Sequence, residues 1–394
     1  MTDYEYPLAS DTWGAEEQTA ISAVLASGNL TYGVKVAEFE EAAATYFGSN
    51  YAVMVNSGSS ANLLALAAVL EVRGIPRDGT KEVIVTAVSW ATTYFPVSQL
   101  GLRIRLVDID LESLNASVSS IETAINENTV GIFVVNLLGN PSDLTSIRTL
   151  SDEKGLFFLE DNCESMGAVV DGRQAGTFGD VGTFSTYYSH HISTIEGGFC
   201  LTDDLRLYQY MMSMRSHGWT RGLPPKNMVH DATGSFLDAF MFALPGFNLR
   251  PMEIQGAIGI EQLKKLSSFI EVRRRNAEIF VSQAKEFAGE IQFQKEHGAS
   301  SWFGFSLVLR DDASIDRQAL VELLTSHRIA VRPIVAGNIS KHPVASRLNM
   351  ALPECGLPNS DIVHNRGLFV GNHHFELDNP INRLFEVLST ALKS

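Results

Sequence analysis

The sequence predicts an α/β protein with a large doubly wound, mostly parallel sheet domain and a smaller α+β domain at its C-terminal end. Three observations support this prediction. The chain has 394 residues, 45% of them hydrophobic, which is apolar material for about two to three ordinary domains. Short apolar, β-rich runs alternate with helix-like segments over the first half of the chain. A long helical stretch then leads into a segment with an α+β pattern.

Six apolar runs are predicted as strands and two of the intervening segments as helices. The strands are 83–85, 104–107, 132–137, 156–159, 181–184 and 199–201, and the helices are 57–71 and 119–125. This alternation favours a parallel sheet covered on both faces. Ligands of such sheets bind beyond the carboxyl ends of the strands. Small or polar residues occur there at Ser89-Trp90, Asp108, Asn136, Asp161 and Ser185.

The smaller domain is predicted from a helix that runs from Glu253 to about Glu286, with Arg273-Arg274-Arg275 on its solvent side. We place the domain boundary inside this helix, which divides the chain into residues 1–262, including the N-terminal segment, and residues 263–394. The elements expected after the helix are a strand at 304–309, a helix at 317–324, a strand at 330–334 and a closing helix at 381–392.

The composition of the chain argues against several classes of function. Thirty basic against 45 acidic side chains give a formal charge of -15, which argues against binding to nucleic acid. Three cysteines are too few for a disulfide framework or for a four-thiolate cluster, and they favour a reducing, cytoplasmic location. The sequence shows neither a secretory signal nor an apolar run of membrane-spanning length.

The segment Asn56-Ser57-Gly58-Ser59-Ser60-Ala61-Asn62 directly precedes a helical apolar run. Backbone N–H groups and serine hydroxyls at a helix N-terminus form a site for a phosphate group. A plain serine N-cap is the alternative, because serine and glycine are common before helices. The segment matches neither the Walker pattern nor GxGxxG.

The segment Leu159-Glu160-Asp161-Asn162-Cys163-Glu164 places carboxylates just past an apolar strand. An aspartate there can hold a proton on a heterocyclic nitrogen and so make the ring an electron sink. The alternative is that Asp161 caps a helix.

The run from Gly182 to Gly198, GTFSTYYSHHISTIEGG, is the most specific segment of the chain. Together with the serine loop and the Asp161 strand end, it resembles the pyridoxal-phosphate-dependent sugar aminotransferase family of the DegT/StrS type. The resemblance spans nearly the whole chain and implies the aspartate-aminotransferase fold, fold type I. Family members carry a serine, four further residues and then the lysine that binds the cofactor covalently. Ser185 and Glu196-Gly197-Gly198 match this pattern, but His190 stands at the lysine position.

The histidine implies a changed reaction. An imidazole cannot form an imine with the cofactor aldehyde, and no lysine occurs between Lys154 and Lys226. The cofactor is therefore expected to be held non-covalently, while His190 still moves protons near neutral pH. A polar loop or a dead site is the alternative explanation of His190-His191.

Histidine-bearing relatives in this family are nucleotide-sugar dehydratases. The runs Asn136 to Pro141 and Ser216 to Arg221 favour the type without an iron-sulfur cluster. The resemblance then implies glutamate-dependent removal of the C3 oxygen of GDP-4-keto-6-deoxy-D-mannose, by way of pyridoxal and pyridoxamine phosphate. It also implies deoxysugar synthesis for lipopolysaccharide O-antigen, with colitose as the sugar, and a homodimer with shared active sites.

The resemblance also assigns the residues of the site. His190 is the catalytic residue, Trp90 stacks on the cofactor ring and Asp161 pairs with the ring nitrogen. Glu164 replaces the family's usual glutamine beside the cofactor. The cofactor phosphate is bound by Ser59, Ser60 and Ser185, and by Asn248 of a second subunit. Trp90 as a core residue and Asn248 as a turn residue are the alternatives.

The substrate is anionic, so an acidic chain needs local cationic groups to bind it. His217, Arg221, Arg250 and Arg332 are the candidates, with ordinary surface charge as the alternative. We expect no metal and no serine triad, because the chain has neither HExxH nor GxSxG. An aminotransferase that uses His190 atypically, and a degenerate sensor with this fold, are the competing functions.

Overall fold

The computed structural model describes residues 4–231, 233 and 235–392, apart from the side chain of Ala239. Its helices are α1 (Ala15–Ser27), α2 (Val34–Phe47), α3 (Gly58–Arg73), α4 (Ala91–Gln99), α5 (Val118–Ala124), α6 (Leu144–Lys154), α7 (Leu205–Met214), α8 (Glu253–Ala284), α9 (Arg317–Ser326), α10 (Pro358–Arg366) and α11 (Asp378–Leu392). Its strands are β1 (Tyr51–Val55), β2 (Glu82–Thr86), β3 (Arg103–Val107), β4 (Thr129–Val135), β5 (Phe157–Asp161), β6 (Val169–Val170), β7 (Arg173–Gln174), β8 (Val181–Ser185), β9 (Gly198–Thr202), β10 (Ile291–Gln292), β11 (Gly304–Leu309), β12 (Met350–Ala351) and β13 (Gly367–Gly371).

The large sheet has eight strands in the order β1-β9-β8-β5-β4-β2-β3-β12. Five neighbouring pairs are parallel, and β9 runs antiparallel to both β1 and β8. The prediction of a mostly parallel sheet is therefore confirmed. Its central strands are buried along their whole length, as a sheet covered on both faces requires.

A second sheet, β10-β11-β13, belongs to the C-terminal part of the chain. Its core contains Phe280 of α8, Phe305 of β11 and Leu388 of α11, and also Tyr6 from the N-terminal segment. Helix α8 continues through residue 262 without a break. The domain boundary predicted at that residue therefore stays a prediction. No helix of the described residues is both long and apolar enough to cross a bilayer.

Two sequence predictions are wrong in this part. Residues 330–334 do not form a strand, and only Arg332 pairs in β-fashion, with Phe369. Pro333 has no backbone N–H to continue such a ladder. The second error concerns Arg273, which is buried rather than solvent-facing, whereas Arg275 is exposed and pairs with Glu376.

Candidate active site

Asp161 ends strand β5 and points a buried carboxylate at the edge of the large sheet. Its Oδ2 accepts hydrogen bonds from Asn62 Nδ2 and Thr93 Oγ1, both at 2.8 Å. Its Oδ1 accepts the N–H of Cys163 at 3.1 Å. The chain continues in turns after Asp161, so the alternative of a helix cap is wrong. Three donors therefore hold this carboxylate in one orientation.

Asn62 and Thr93 were missed as functional residues, although both lie in motifs that the sequence analysis singled out. Each is fully buried and comes from the first turns of a helix, α3 and α4 respectively. The signal in the sequence was a polar side chain inside the apolar run of α3. A buried polar group requires a partner, and the strand end at Asp161 provides one.

The serine loop at the start of α3 caps that helix. Ser57 accepts the N–H of Ser60 at 3.1 Å, as an N-cap does, and the Ser60 hydroxyl donates to Asn56 Oδ1 at 2.6 Å. Over the described residues, the Ser59 hydroxyl has no hydrogen-bond partner and faces solvent. A Cβ on Gly58 would lie 2.6 Å from the Cβ of Ser185. The helix N-terminus and Ser185 therefore contact each other only because residue 58 is a glycine.

His190 is half-buried and lies against the turn that follows Asp161. Its Nδ1 is 2.5 Å from the carbonyl oxygen of Cys163. A carbonyl only accepts, so Nδ1 carries the proton and Nε2 keeps a free lone pair. Burial lowers the pKa of His190, while the Cys163 hydrogen bond and the charge of Asp161 oppose that shift. The arrangement presents Nε2 as a base.

His191 does something different from its neighbour. It is fully buried, and its Nε2 donates to the carbonyl of Ser301 at 3.2 Å. Burial lowers its pKa well below the usual value. The side chain of His191 therefore serves as an anchor of the loop to the rest of the chain.

The N-terminal segment holds the same loop from the other side. Gln262 Oε1 accepts both the Thr12 hydroxyl, at 2.6 Å, and the N–H of Ser193, at 2.9 Å. Trp13 Nε1 donates to the Ser193 carbonyl at 3.0 Å. Sequence reasoning did not find these contacts because they join residues that lie about 70 to 250 positions apart.

Glu164 lies three residues after Asp161, and its Oε2 accepts the N–H of Leu138 at 3.0 Å. Burial raises the pKa of Glu164 to about 7, the negative charge of Asp161 acts in the same direction, and the Leu138 bond and the positive charge of Arg332 oppose it. The positive charge of Arg332, an expected substrate residue, therefore acts on this carboxyl group. With a pKa of about 7, Glu164 is able to exchange protons near neutral pH.

Trp90 is the N-cap of α4 and is 56% exposed, so the alternative of a core residue is wrong. The adjacent Ser89 hydroxyl bonds to Thr93, which in turn bonds to Asp161. The largely exposed Trp90 is therefore close in the chain to the hydrogen-bonded group that holds Asp161.

The remaining predicted residues lie on the segment between α7 and α8. Asn248 and His217 are exposed, Arg250 Nε donates to Asn248 Oδ1 at 3.1 Å, and the Arg221 guanidinium lies 5.2 Å from the Trp219 ring centre. The intervening Leu249 accepts the N–H of Asn56, next to the serine loop. Among the described residues, no side-chain hydrogen bond or ion pair joins this group to Asp161 or His190 within one chain.

Comparisons with known proteins agree with this geometry. Residues 11–387 match the DegT/DnrJ/EryC1/StrS aminotransferase family, and the chain belongs to that family. A GDP-4-keto-6-deoxy-D-mannose 3-dehydratase of Yersinia pseudotuberculosis is 47% identical over 97% of this chain and 98% of its own length. The fold type I prediction is thereby confirmed.

Two solved structures extend the comparison. The Escherichia coli GDP-4-keto-6-deoxy-D-mannose 3-dehydratase with bound hydrated pyridoxal phosphate superposes with a TM-score of 0.94, at 47% identity, over 98% of this chain and 99% of that one. A mutant GDP-4-keto-6-deoxymannose 3-dehydratase with bound GDP-perosamine gives the same TM-score and identity, over 98% and 100% of the two chains.

The residues present here fit that cofactor. The contact of Gly58 with Ser185 leaves a side-chain-free helix N-terminus suited to a phosphate. The fixed carboxylate of Asp161 suits a protonated ring nitrogen.

Proposed function

We propose that the protein removes the C3 oxygen of a nucleotide-linked 4-keto-6-deoxyhexose, GDP-4-keto-6-deoxy-D-mannose, and yields the 4-keto-3,6-dideoxy sugar. L-Glutamate is the amino donor and the reductant. The reaction balances, because the sugar loses one oxygen while glutamate becomes 2-oxoglutarate and ammonia. The observation that carries this proposal is His190, a base with a free Nε2 at the position of the family's lysine.

His190 has two tasks in this reaction. Its Nε2 accepts a proton from the carbon next to the cofactor ring and returns a proton to the departing C3 hydroxyl. Bound pyridoxamine phosphate supplies the amine that reacts with the C4 ketone and a ring that accepts electrons. Asp161 keeps the proton on the ring nitrogen, because its carboxylate is held by Asn62 and Thr93.

The cofactor is held without a covalent bond. Ser59, Ser60 and Ser185 bind its phosphate, and Trp90 stacks on its ring. Glu164 hydrogen-bonds at the ring edge, where its raised pKa lets it donate as well as accept. Asn248 completes the phosphate site from a second subunit.

The anionic nucleotide sugar and glutamate are bound by His217, Arg221, Arg250 and Arg332. Arg332 supports this assignment most directly, because its charge acts on Glu164. Cationic groups that contact the ligand would offset the net charge of -15, which otherwise repels it.

The active protein is a homodimer. Exposed aromatic side chains on the segment between α7 and α8 support this proposal, with Phe236 82% and Phe242 65% exposed in one chain. No iron-sulfur cluster takes part, since three cysteines cannot supply four thiolates. The reaction fits a cytoplasmic route to colitose for lipopolysaccharide O-antigen.

The test is a mass-resolved analysis of the sugar after incubation with pyridoxal phosphate, L-glutamate and GDP-4-keto-6-deoxymannose. We expect a product lighter by one oxygen, with equal amounts of 2-oxoglutarate and ammonia. An amino sugar would instead make the protein an aminotransferase. Unchanged sugar together with consumed glutamate would show that the proposed sugar substrate is wrong. The proposed reaction of the cofactor with glutamate would still be supported.

A further inference from the structure

A single hydrogen bond holds the imidazole of His190. Its Nδ1 donates to the carbonyl oxygen of Cys163 at 2.5 Å, and over the described residues no second hydrogen bond holds the ring. The torsion that turns a histidine ring is broad and roughly two-fold, so one bond does not fix the direction of Nε2. A base has to be held in one orientation towards the proton that it accepts. Other contacts therefore have to orient this ring.

Two aromatic rings lie against the His190 imidazole. The ring centre of Phe303 is 5.3 Å from that of His190, and the ring centre of Tyr187 is 5.9 Å away, edge-on. Tyr187 is 44% exposed. Phe303 is half-buried, and its ring also packs against His191, at 5.8 Å, and against the core cluster that contains Leu138. Of the two rings, Phe303 is therefore the one that the protein interior supports.

The backbone of Phe303 is held by a strained turn. Leu138 has a φ of 54°, in the left-handed region where leucine is rare, and Gly139 follows with a φ of 91°. The C=O of Leu138 accepts the N–H of Phe303 at 2.9 Å, and its N–H donates to Glu164 Oε2 at 3.0 Å. Such backbone strain occurs at functional sites when the surroundings enforce it. One residue thus fixes Phe303 and Glu164 relative to each other.

Further contacts hold the segment that carries Phe303. The carbonyl of Phe303 accepts a hydrogen bond from Arg273 Nη1 at 3.3 Å. Two residues earlier, the N–H of Ser301 donates to the carbonyl of Gly139 at 2.9 Å, and the Ser301 carbonyl accepts His191 Nε2 at 3.2 Å. The Phe303 ring therefore projects towards His190 from a backbone that is fixed both to the turn and to the histidine loop.

We propose that Phe303 is a positioning residue, whose ring packs against the imidazole of His190 and keeps Nε2 in the orientation for proton transfer. The catalytic part of this inference rests on the proposed function, because it takes His190 as the base, but the orientation of the ring does not. A phenylalanine suits the task. It fills the space beside the imidazole and has no polar atom that could form a hydrogen bond with Nε2.

The first test is nuclear magnetic resonance of the cofactor-loaded protein labelled with ¹³C-histidine. The chain has 10 histidines, and H190Q identifies the signals of His190. Protons beside an aromatic ring resonate away from their ordinary positions, and a leucine has no such effect. In F303L the imidazole protons of His190 should therefore move towards the positions of an exposed histidine, whereas F303Y, which keeps the ring, should leave them in place.

The matched control is F293L. Phe293 is also half-buried, but its ring packs against Phe280 in the core of the C-terminal part of the chain. This variant should leave the His190 signals unchanged. Unchanged signals in F303L, or the same change in F303L and F293L, would overturn the proposal. If F303L does not fold, F303M takes its place, because methionine is also apolar and has no ring.

The second test is the single-turnover reaction of the pyridoxal-phosphate-loaded protein with L-glutamate, which needs no sugar. Absorbance measures the formation of pyridoxamine phosphate. F303L should react on the order of 10- to 100-fold more slowly, with little change in the glutamate concentration at half-maximal rate. F303Y and F293L should react like the parent, although F293L is also destabilised towards urea.

Equal rates in F303L and F293L would contradict the role of Phe303. A parent protein that does not react with glutamate would contradict the proposed function instead, and the resonance experiment would then still decide whether Phe303 orients His190.

Discussion

Two regions of the molecule differ in how many of their side chains find partners within one chain. They are the edge of the large sheet around Asp161 and the segment between α7 and α8. Asp161 has three hydrogen-bond donors and His190 has its carbonyl partner within the same chain. The other segment leaves Phe236 and Phe242 largely exposed. The difference supports the proposal that one chain holds the residues that transfer protons, whereas binding of the nucleotide sugar requires a second copy.

The largest effect is expected from H190Q. Glutamine can donate to the Cys163 carbonyl but cannot act as a base, so kcat should fall on the order of 1000-fold. Steady-state product formation measures this loss, and unchanged cofactor affinity is the control. A variant with more than about a tenth of the parent rate would show that another group is the base.

D161N should lower kcat on the order of 100-fold. The amide keeps the shape but loses the charge that holds a proton on the cofactor ring. The absorbance spectrum of the bound cofactor should change with it. D152N removes an exposed carboxylate on α6 and should behave like the parent, and equal spectra in the two variants would refute the role of Asp161.

The double substitution F236S/F242S should weaken the dimer rather than the pocket. Loss of two exposed aromatic anchors is expected to raise the dissociation constant about 30-fold, equivalent to about 2 kcal/mol. Sedimentation at several concentrations measures this shift. F375S, which changes an exposed phenylalanine elsewhere, is the control, and an equal shift in both would exclude this segment from the interface.

E164Q should change the pH dependence of stability. The folded state raises the pKa of Glu164 to about 7, so it binds a proton that the unfolded chain has already lost. Between about pH 4.3 and pH 7 this group therefore makes the free energy of unfolding fall as pH rises, by about 3 kcal/mol.

Urea denaturation of the parent protein and of E164Q at pH 5 and pH 7 measures this difference. The parent should lose more stability than the variant over that interval. Equal changes in the two proteins would mean that Glu164 is already ionised at pH 5.

The sequence predicted those elements that local patterns encode. Alternating apolar runs located β2, β5 and β8, and the strand at 304–309 was correct to the residue. Strand β1 was missed because it pairs with β9, whose residues lie about 150 positions away. Residues 330–334 look apolar and extended, but Pro333 and the single pairing at Arg332 prevent a strand.

Residues of the site could be predicted only where they belong to a sequence motif of the family. Asp161, Ser185 and His190 followed from the resemblance, and their roles stay predictions. Helical periodicity placed Arg273 on the solvent side, because the carbonyls of Phe303 and Asn372 that hold it are distant in the sequence and flank strands β11 and β13. Contacts with residues so distant in the chain produce no recognisable pattern in the sequence around α8.

The most direct test of the central claim follows the nitrogen of ¹⁵N-labelled L-glutamate. If His190 makes the protein a dehydratase, all of the label should appear as free ammonia, in an amount equal to the sugar that has lost its C3 oxygen. Label retained in the sugar as an amine would contradict the claim and show that the chain transfers nitrogen without a lysine.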